Sequence, residues 1–165
     1  TSQSKLQKLE ESFGSENIEY IFSTNDSVQS SINDSDLVIG SVYVVGKEAP
    51  KVVTKDMLIS MNPGTVMVDV SIDQGGCFES SRPTTHDSPT FIENDIVHYC
   101  VTNMPGAVPL TATEALNKVT LPYIQDLANK GVDMALSEDE HLRNGLNIKD
   151  GNIMHQGVKE SLEKI

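Results

Sequence analysis

An apolar run passes abruptly into acidic residues and paired glycines at residues 66–83, whose sequence is VMVDVSIDQGGCFESSRP. The run at its start is nearly continuous in apolar residues, which is typical of a parallel strand buried on both faces. Asp73 follows where that strand should end, and ligands of open α/β sheets bind outside the carboxyl ends of the strands. Gly75 and Gly76 allow the backbone to turn sharply and approach a flat ligand. The local pattern alone is equally consistent with a plain turn.

Similar apolar runs lie on both sides of this stretch. Together they predict four strands, at Ile18–Phe22, Leu37–Val45, Val66–Val70 and Ile96–Val101. Segments of helical length lie between them, and we expect helices around residues 6–13, at Ser27–Asn33 and at Thr54–Met61, the last with Thr54 as its N-cap. Alternation of helix and strand at this spacing predicts an α/β fold with a parallel sheet.

The pattern changes after the fourth run. Asn103–Pro109 holds two prolines and a glycine and is expected to be a shaped loop. A long helix is predicted at Thr111–Lys130, with Pro122 as a kink or interruption, and a short final helix at Val158–Lys164.

Composition excludes several classes of partner. Twelve Lys and Arg against 24 Asp and Glu give a net charge of −12, which disfavours nucleic acid and anionic membranes because phosphate contacts need clustered cations. No stretch reaches the roughly 18 apolar residues of a membrane span. Cys77 and Cys100 are too few for a disulfide framework and form no CxxC pair, so we interpret them as free thiols of a cytoplasmic protein.

Familiar catalytic and metal motifs are absent. The four histidines have no metal-ligand spacing, so no metal site is predicted, and His98 is expected to be structural because it lies in a strand. Neither GxSxG nor the phosphate-binding GxGxxG occurs. The chain lacks an initiator Met and opens directly on a helical pattern, from which we expect a fragment of a longer protein.

Three stretches carry a resemblance to a known family. They are Asp36–Val53 (DLVIGSVYVVGKEAPKVV), Val68–Thr85 (VDVSIDQGGCFESSRPTT) and His98–Leu116 (HYCVTNMPGAVPLTATEAL). All three resemble the NAD-dependent L-alanine dehydrogenases, and the likeness covers nearly the whole chain. The related nicotinamide nucleotide transhydrogenases share the Gln-Gly-Gly turn, but they usually carry Ala-Glu where this chain has Ile72-Asp73.

The resemblance implies the second part of a Rossmann-type NAD-binding domain at residues 1–107. It also implies carboxyl-terminal helices that return to a substrate domain at residues 108–165. The implied reaction is reversible oxidative deamination of L-alanine to pyruvate and ammonium, in a cytoplasmic homo-oligomer that is commonly a hexamer in the family. The family's phosphate-binding glycines and its catalytic Lys and His would lie upstream, so this chain alone is expected to be inactive.

Seven residues are carried over from the family by position. Asp73 is expected to be catalytic, beside the nicotinamide ribose and the reacting carbon. The cofactor contacts implied by the resemblance are Lys5 near the adenosine ribose, Ser23 at a strand end facing the adenine, the backbone of Val42 and Tyr43, and Asn103 and Met104 around the nicotinamide. For Met104, core packing is the alternative.

Two other functions remain open at this point. One is a transhydrogenase-like nucleotide-binding subunit that acts with a membrane partner. The other is a non-catalytic, truncated module. The complete reading frame would separate these from the dehydrogenase.

Overall fold

The computed structural model describes residues 2–163, which fall into two compact units. The first contains the residues up to Val42 together with Pro50–Val101, and the second contains Tyr43–Ala49 together with the residues from Thr102 onward. The division at residue 107 inferred from the sequence stays a prediction.

A four-stranded sheet forms the centre of the first unit. Its order is β1 (Leu37–Gly40), β2 (Val66–Asp69), β4 (Ile96–Tyr99) and β3 (Thr90–Glu93). The β1–β2 and β2–β4 pairs are parallel, which confirms the predicted α/β fold with a mostly parallel sheet. β3 is an antiparallel edge strand that the sequence analysis missed.

The turn between β3 and β4 explains how that edge strand forms. Asn94 and Asp95 both have left-handed backbone angles, with φ values of 51° and 60°. Two successive positive φ values are typical of a tight hairpin turn, and Asn and Asp tolerate this conformation better than most residues. The Asn-Asp pair was therefore the available signal for the hairpin.

Three helices accompany the sheet: α1 (Gln3–Phe13), α2 (Asn25–Asn33) and α3 (Lys55–Leu58). Ser2 caps α1, and Thr24 with Ser27 forms a reciprocal capping box at the start of α2. Thr54 is the N-cap of α3 as predicted, but its side chain makes no capping bond. Instead, a Glu79 carboxylate oxygen accepts the Lys55 N–H at 2.9 Å.

The strand predicted at Ile18–Phe22 is wrong. This segment forms no strand in the described residues, and Ile18, Ile21 and Phe22 are exposed. An apolar run becomes a strand only when another backbone satisfies its N–H and C=O groups. Ser23 consequently lies just before the N-cap of α2 and not at a strand end.

The strand predicted at Leu37–Val45 is too long, since β1 ends at Gly40. Its partner β2 ends at Asp69, and the chain continues there as a 3₁₀ helix, Val70–Gln74. The residues after Gly40 therefore have no strand of the described residues beside them with which to form further sheet hydrogen bonds. Gly40 itself has no room for a side chain, because an added Cβ would lie 2.6 Å from the Phe78 ring.

Apolar side chains fill the space around the sheet. The buried ones in the first unit are Ile32, Val53, Met57, Leu58, Met61, Met67, Ile72, Cys77, Phe78, Ile96, Cys100 and Val101. The core therefore collects mainly around β2, β4 and the loop that follows β2, which holds that loop against the sheet.

His98 is a fully buried member of β4. Its Nδ1 donates to the carbonyl of Ile96 at 3.1 Å, because a carbonyl can only accept, and its Nε2 then accepts from the Ser80 hydroxyl at 2.8 Å. The ring stacks on Phe91, with ring centroids 4.8 Å apart. Burial lowers the pKa of His98 from its ordinary value. This imidazole is neutral and structural.

The second unit is mainly helical. It contains a 3₁₀ helix (Met104–Ala107), α4 (Pro109–Lys130), α5 (Val132–Glu138), α6 (Glu140–Asn144), a hairpin of β5 (Ile148–Lys149) and β6 (Asn152–Ile153), and α7 (Gln156–Leu162). The long and final helices were predicted, although Lys164 lies outside the described residues. The helices α5 and α6 and the β5–β6 hairpin were not predicted from the sequence. No residue of α4 is buried in this chain.

Tyr43–Ala49 belongs to this second unit because it packs against α7. The Ser161 hydroxyl donates to the Gly46 carbonyl at 2.9 Å, and Lys47 forms an ion pair with Glu160. Gly157 permits the approach, since an added Cβ there would lie 2.9 Å from the Val45 carbonyl oxygen. Among residues 2–163, no helix is long and apolar enough to cross a membrane.

We predict that His98 makes folding sensitive to mild acid. Unfolded histidine titrates near 6.5, whereas the folded ring has a lower pKa, so protons bind preferentially to the unfolded chain. The stabilisation is complete above about pH 6.5 and is lost as pH falls below that value. His98→Asn keeps a donor for the Ile96 carbonyl and removes the titration. Denaturant unfolding at several pH values should show a shallower pH slope for the variant, and equal slopes would contradict the prediction.

Candidate functional site

The carboxyl ends of β1 and β2 form one edge of the sheet. Gly40 and Asp69 are register partners at that edge because the two strands are parallel. The chain after β1 reaches Val42, and the chain after β2 forms the 3₁₀ helix Val70–Gln74 that carries Asp73. Asp73 is exposed there. The structure thus brings Val42 and the turn bearing Asp73 to the same edge.

A buried carboxylate organises this edge. Asp69 is fully buried, and its oxygens accept the N–H groups of Ser71 at 3.0 Å and Cys77 at 2.8 Å. The Ser81 hydroxyl and the Cys77 thiol donate to the same carboxylate. Buried carboxylates are tolerated when donors surround them in this way. The loop after β2 is therefore wrapped around Asp69.

The same carboxylate affects the neighbouring thiol. Burial, with the negative charge of Asp69 beside it, raises the pKa of Cys77 to about 11. Burial also raises the pKa of Cys100. Both cysteines are free, as predicted, and at neutral pH both are protonated, so neither is equipped to act as a nucleophile.

Two glycines reverse the chain between Asp73 and Cys77. Gly75 and Gly76 have φ values of 89° and 76°, a left-handed conformation that side chains rarely allow. At Gly76 an added Cβ would also lie 2.9 Å from the Asp69 carboxylate and from Ser81. The carbonyls of both glycines accept hydrogen bonds from the Lys51 ammonium, at 2.5 and 2.8 Å.

Ser71 joins the two strand ends. Its buried hydroxyl accepts the Val42 N–H at 2.8 Å and donates to the Val42 carbonyl at 2.9 Å. Both backbone groups of Val42 are thus already bonded within the protein. A ligand that passes Val42 would meet a fixed backbone there, with the half-buried side chain as its main contact surface.

Ser23 borders a small hollow beside α2. The hollow has a volume of about 220 Å³ and is lined by Ile21, Ser23, Ser27, Val28, Ser31 and Ile32. Apolar walls with a few hydroxyls suit a flat heteroaromatic ring. Lys5 lies exposed on the first turn of α1, and no contact of its side chain ties it to this hollow.

The three remaining predicted residues lie in the second unit. Asn103 adopts a left-handed conformation, with φ 53° and ψ 52°, and precedes the 3₁₀ helix that begins at Met104. It borders a hollow of about 510 Å³ whose other walls are Pro105, Gly106, Pro109, Ala112, Thr113 and Leu116. Met104 is half-buried, and Tyr43 is 68% exposed.

Three residues of the sheet edge were not predicted from the sequence: Lys51, Asp69 and Ser71. A signal for Asp69 was present, because an acidic residue inside a strand expected to be buried on both faces requires donors close by. No comparable signal marked Lys51 or Ser71, whose partners lie 24 to 29 residues away along the chain. In the part of the chain that the structure describes, no group of three His, Cys, Asp or Glu side chains is arranged to hold a metal ion.

We predict that Asp69→Asn destabilises the protein by about 3 kcal/mol, because one amide oxygen cannot serve all the donors and the NH₂ group would face N–H groups. Denaturant unfolding would measure the loss. Asp95→Asn is the matched control, since Asp95 is exposed and Asn accepts its left-handed backbone, and it should change stability by less than about 0.5 kcal/mol. Equal stability of the two variants would refute the role given to Asp69.

Comparisons with known proteins show which family the chain resembles. The family model described as "Alanine dehydrogenase/PNT, C-terminal domain" matches residues 1–156. Alanine dehydrogenase from Halomonas elongata is 52% identical over 141 residues, which are 86% of this chain and 38% of that protein. Alanine dehydrogenase from Mycolicibacterium smegmatis is 47% identical over 96% of this chain and 42% of its own length.

Solved structures give the same picture. An L-alanine dehydrogenase structure matches with a TM-score of 0.81 and 42% identity, covering 99% of this chain and 45% of the other. A transhydrogenase from Sinorhizobium meliloti matches with a TM-score of 0.66 at 21% identity, which shows a shared fold. This chain spans about two fifths of the length of the curated relatives it matches. The chain belongs to the alanine dehydrogenase/PNT C-terminal domain family.

Proposed function

We propose that this chain is the carboxyl-terminal portion of an NAD-dependent L-alanine dehydrogenase, which oxidises L-alanine to pyruvate and ammonium. The observation that carries the proposal is an exposed carboxylate, Asp73, on a hydrogen-bonded turn at the carboxyl edge of a parallel sheet. Identities of 44–52% to proteins named alanine dehydrogenase support the same reaction.

Each unit by itself offers a hollow that suits one ring of a nicotinamide dinucleotide. The hollow beside Ser23 offers apolar walls to an adenine ring, and the hollow beside Asn103 offers them to a second ring. Lys5 would lie near the adenosine ribose, Val42 and Tyr43 would pass along the cofactor, and Asn103 and Met104 would border the nicotinamide. NAD would supply the acceptor for the hydride that leaves the α-carbon of the substrate.

Asp73 has the chemistry that the substrate requires. Loss of hydride from the α-carbon leaves positive charge on the substrate nitrogen, and a nearby carboxylate stabilises that charge. The resulting imine takes up one water, for which the same carboxylate can accept a proton, and then breaks into pyruvate and ammonium. The carbon loses two electrons, so each alanine consumed reduces one NAD.

The cellular setting is part of the proposal. We assign the protein to the cytoplasm as a homo-oligomer, a hexamer by family resemblance, without a nucleic-acid or membrane partner. A net charge of −12 supports the exclusion of phosphate-rich partners because it would repel them. Both free, protonated thiols are compatible with a reducing compartment.

We predict that Asp73→Asn in the full-length protein lowers kcat for alanine oxidation by ~10² or more, because charge stabilisation in the transition state is lost. NAD affinity should hardly change, since Asn keeps the size of the side chain and suits a turn. Steady-state formation of NADH and direct NAD titration would measure the two quantities.

Asp87→Asn makes the same charge change at an exposed residue outside the turn and should leave kcat unchanged. Near-normal turnover of Asp73→Asn would remove Asp73 from the catalytic group. A loss confined to NAD affinity would instead assign it to the cofactor ribose. Absence of alanine-dependent NADH formation by the unaltered full-length protein would refute the proposed function itself.

A further inference from the structure

We propose that Lys51 is a positioning residue for this reaction. Its ammonium holds both carbonyl groups of the Gly75-Gly76 turn and thereby fixes the 3₁₀ helix that carries Asp73. The inference rests on the proposed function, since it concerns the carboxylate to which that function assigns charge stabilisation.

The contact is a double, charge-assisted one. Lys51 Nζ donates to the Gly75 carbonyl at 2.5 Å and to the Gly76 carbonyl at 2.8 Å. One ammonium has three N–H donors and can serve both oxygens at once. Hydrogen bonds from a charged donor are shorter and stronger than neutral ones. The two left-handed glycines turn their carbonyls so that a single cation reaches both.

The backbone around Lys51 is anchored to the same loop. The Val52 N–H donates to the Cys77 carbonyl at 2.8 Å, and the Glu79 N–H donates to the Val53 carbonyl at 2.9 Å. Lys51 therefore starts from a segment that is paired with the outgoing limb of the turn. Gly75 and Gly76 directly precede Cys77, so their carbonyls lie within reach of the Lys51 side chain.

The glycine peptides are hydrogen-bonded to the 3₁₀ helix that carries Asp73. The Gly75 N–H donates to the Ile72 carbonyl and the Gly76 N–H to the Ser71 carbonyl, both at 3.0 Å. The Ile72 carbonyl belongs to the peptide group that precedes Asp73. The Gly75 carbonyl held by Lys51 shares its peptide group with the Gly76 N–H, and the bond from that N–H to the Ser71 carbonyl links the contact to the 3₁₀ helix that carries Asp73.

Lys51 should affect the rate far more than the stability. The side chain is exposed, and exposed cations contribute little to folding because water competes for their contacts. Catalysis is more sensitive, since a displacement of a reacting group by about 1 Å can cost ~10²-fold in rate.

The test uses three lysine variants of the full-length protein. Lys51→Met keeps the aliphatic stem and removes the donors, and we expect kcat to fall by about 10-fold while NAD affinity and thermal stability stay nearly constant. Lys51→Arg, whose guanidinium can also serve two carbonyls, should restore most of the rate. Lys55→Met is the matched control, because Lys55 pairs with Glu93 on the surface 3.0 Å away, and it should keep the full rate.

Hydrogen exchange supplies a readout that does not depend on turnover. The amides of Gly75 and Gly76 should exchange about 10-fold faster in Lys51→Met, with protection elsewhere unchanged, because local openings of the turn become easier. Lys55→Met should leave both amides protected.

Normal kcat in Lys51→Met, or unchanged exchange at the two glycines, would overturn the proposal. A parallel fall in kcat, NAD affinity and thermal stability would also overturn it, by showing a merely structural role. An inactive unaltered protein would refute the proposed dehydrogenase function, together with the positioning of its carboxylate. In that case the exchange data would still decide whether Lys51 holds the turn.

Discussion

The buried carboxylate of Asp69 is the constraint around which the sheet edge is built. A charge removed from water must be surrounded by donors, and here the donors are the Ser71 and Cys77 N–H groups and the Ser81 hydroxyl. All of these donors come from the twelve residues that follow Asp69, so this stretch must fold around the Asp69 carboxylate. The 3₁₀ helix and the glycine turn follow from that requirement. Burial, together with the negative charge of Asp69 beside it, raises the pKa of the Cys77 thiol.

The hydrogen bonds at this edge bear on the role that we propose for the exposed Asp73. The carboxylate of a mobile loop would be reoriented by solvent, whereas a catalytic group must be held in place before the reaction begins. Asp69 supports the turn from within the core, the Ser71 hydroxyl ties it to Val42, and Lys51 closes it from the exposed side. Family resemblance and this geometry are the two grounds on which we propose Asp73 as the catalytic carboxylate.

Apolar patterning has a different meaning in different parts of the chain. The runs at β2 and β4 become central strands because each has neighbours for its backbone and cover for its side chains. Ile18–Phe22 is also rich in apolar residues but belongs to no strand of the described residues, and its large side chains stay exposed. The helix α4 forms as predicted although none of its residues is buried in this chain, which shows that local helical preference and burial are separate properties.

The sequence by itself determined the α/β class, the parallel strands β1, β2 and β4, the long helix ended at Gly131, and the family, because these depend on local periodicity and on long contiguous motifs. It also pointed to Asp73 through the abrupt end of an apolar run. Only the tertiary structure decided where β1 stops. It also decided that the Ser71 hydroxyl is hydrogen-bonded to the Val42 backbone and that the Lys51 ammonium donates to two glycine carbonyls. These contacts join residues 24 to 29 positions apart, and no periodicity records which polar groups meet across such a distance once the chain folds.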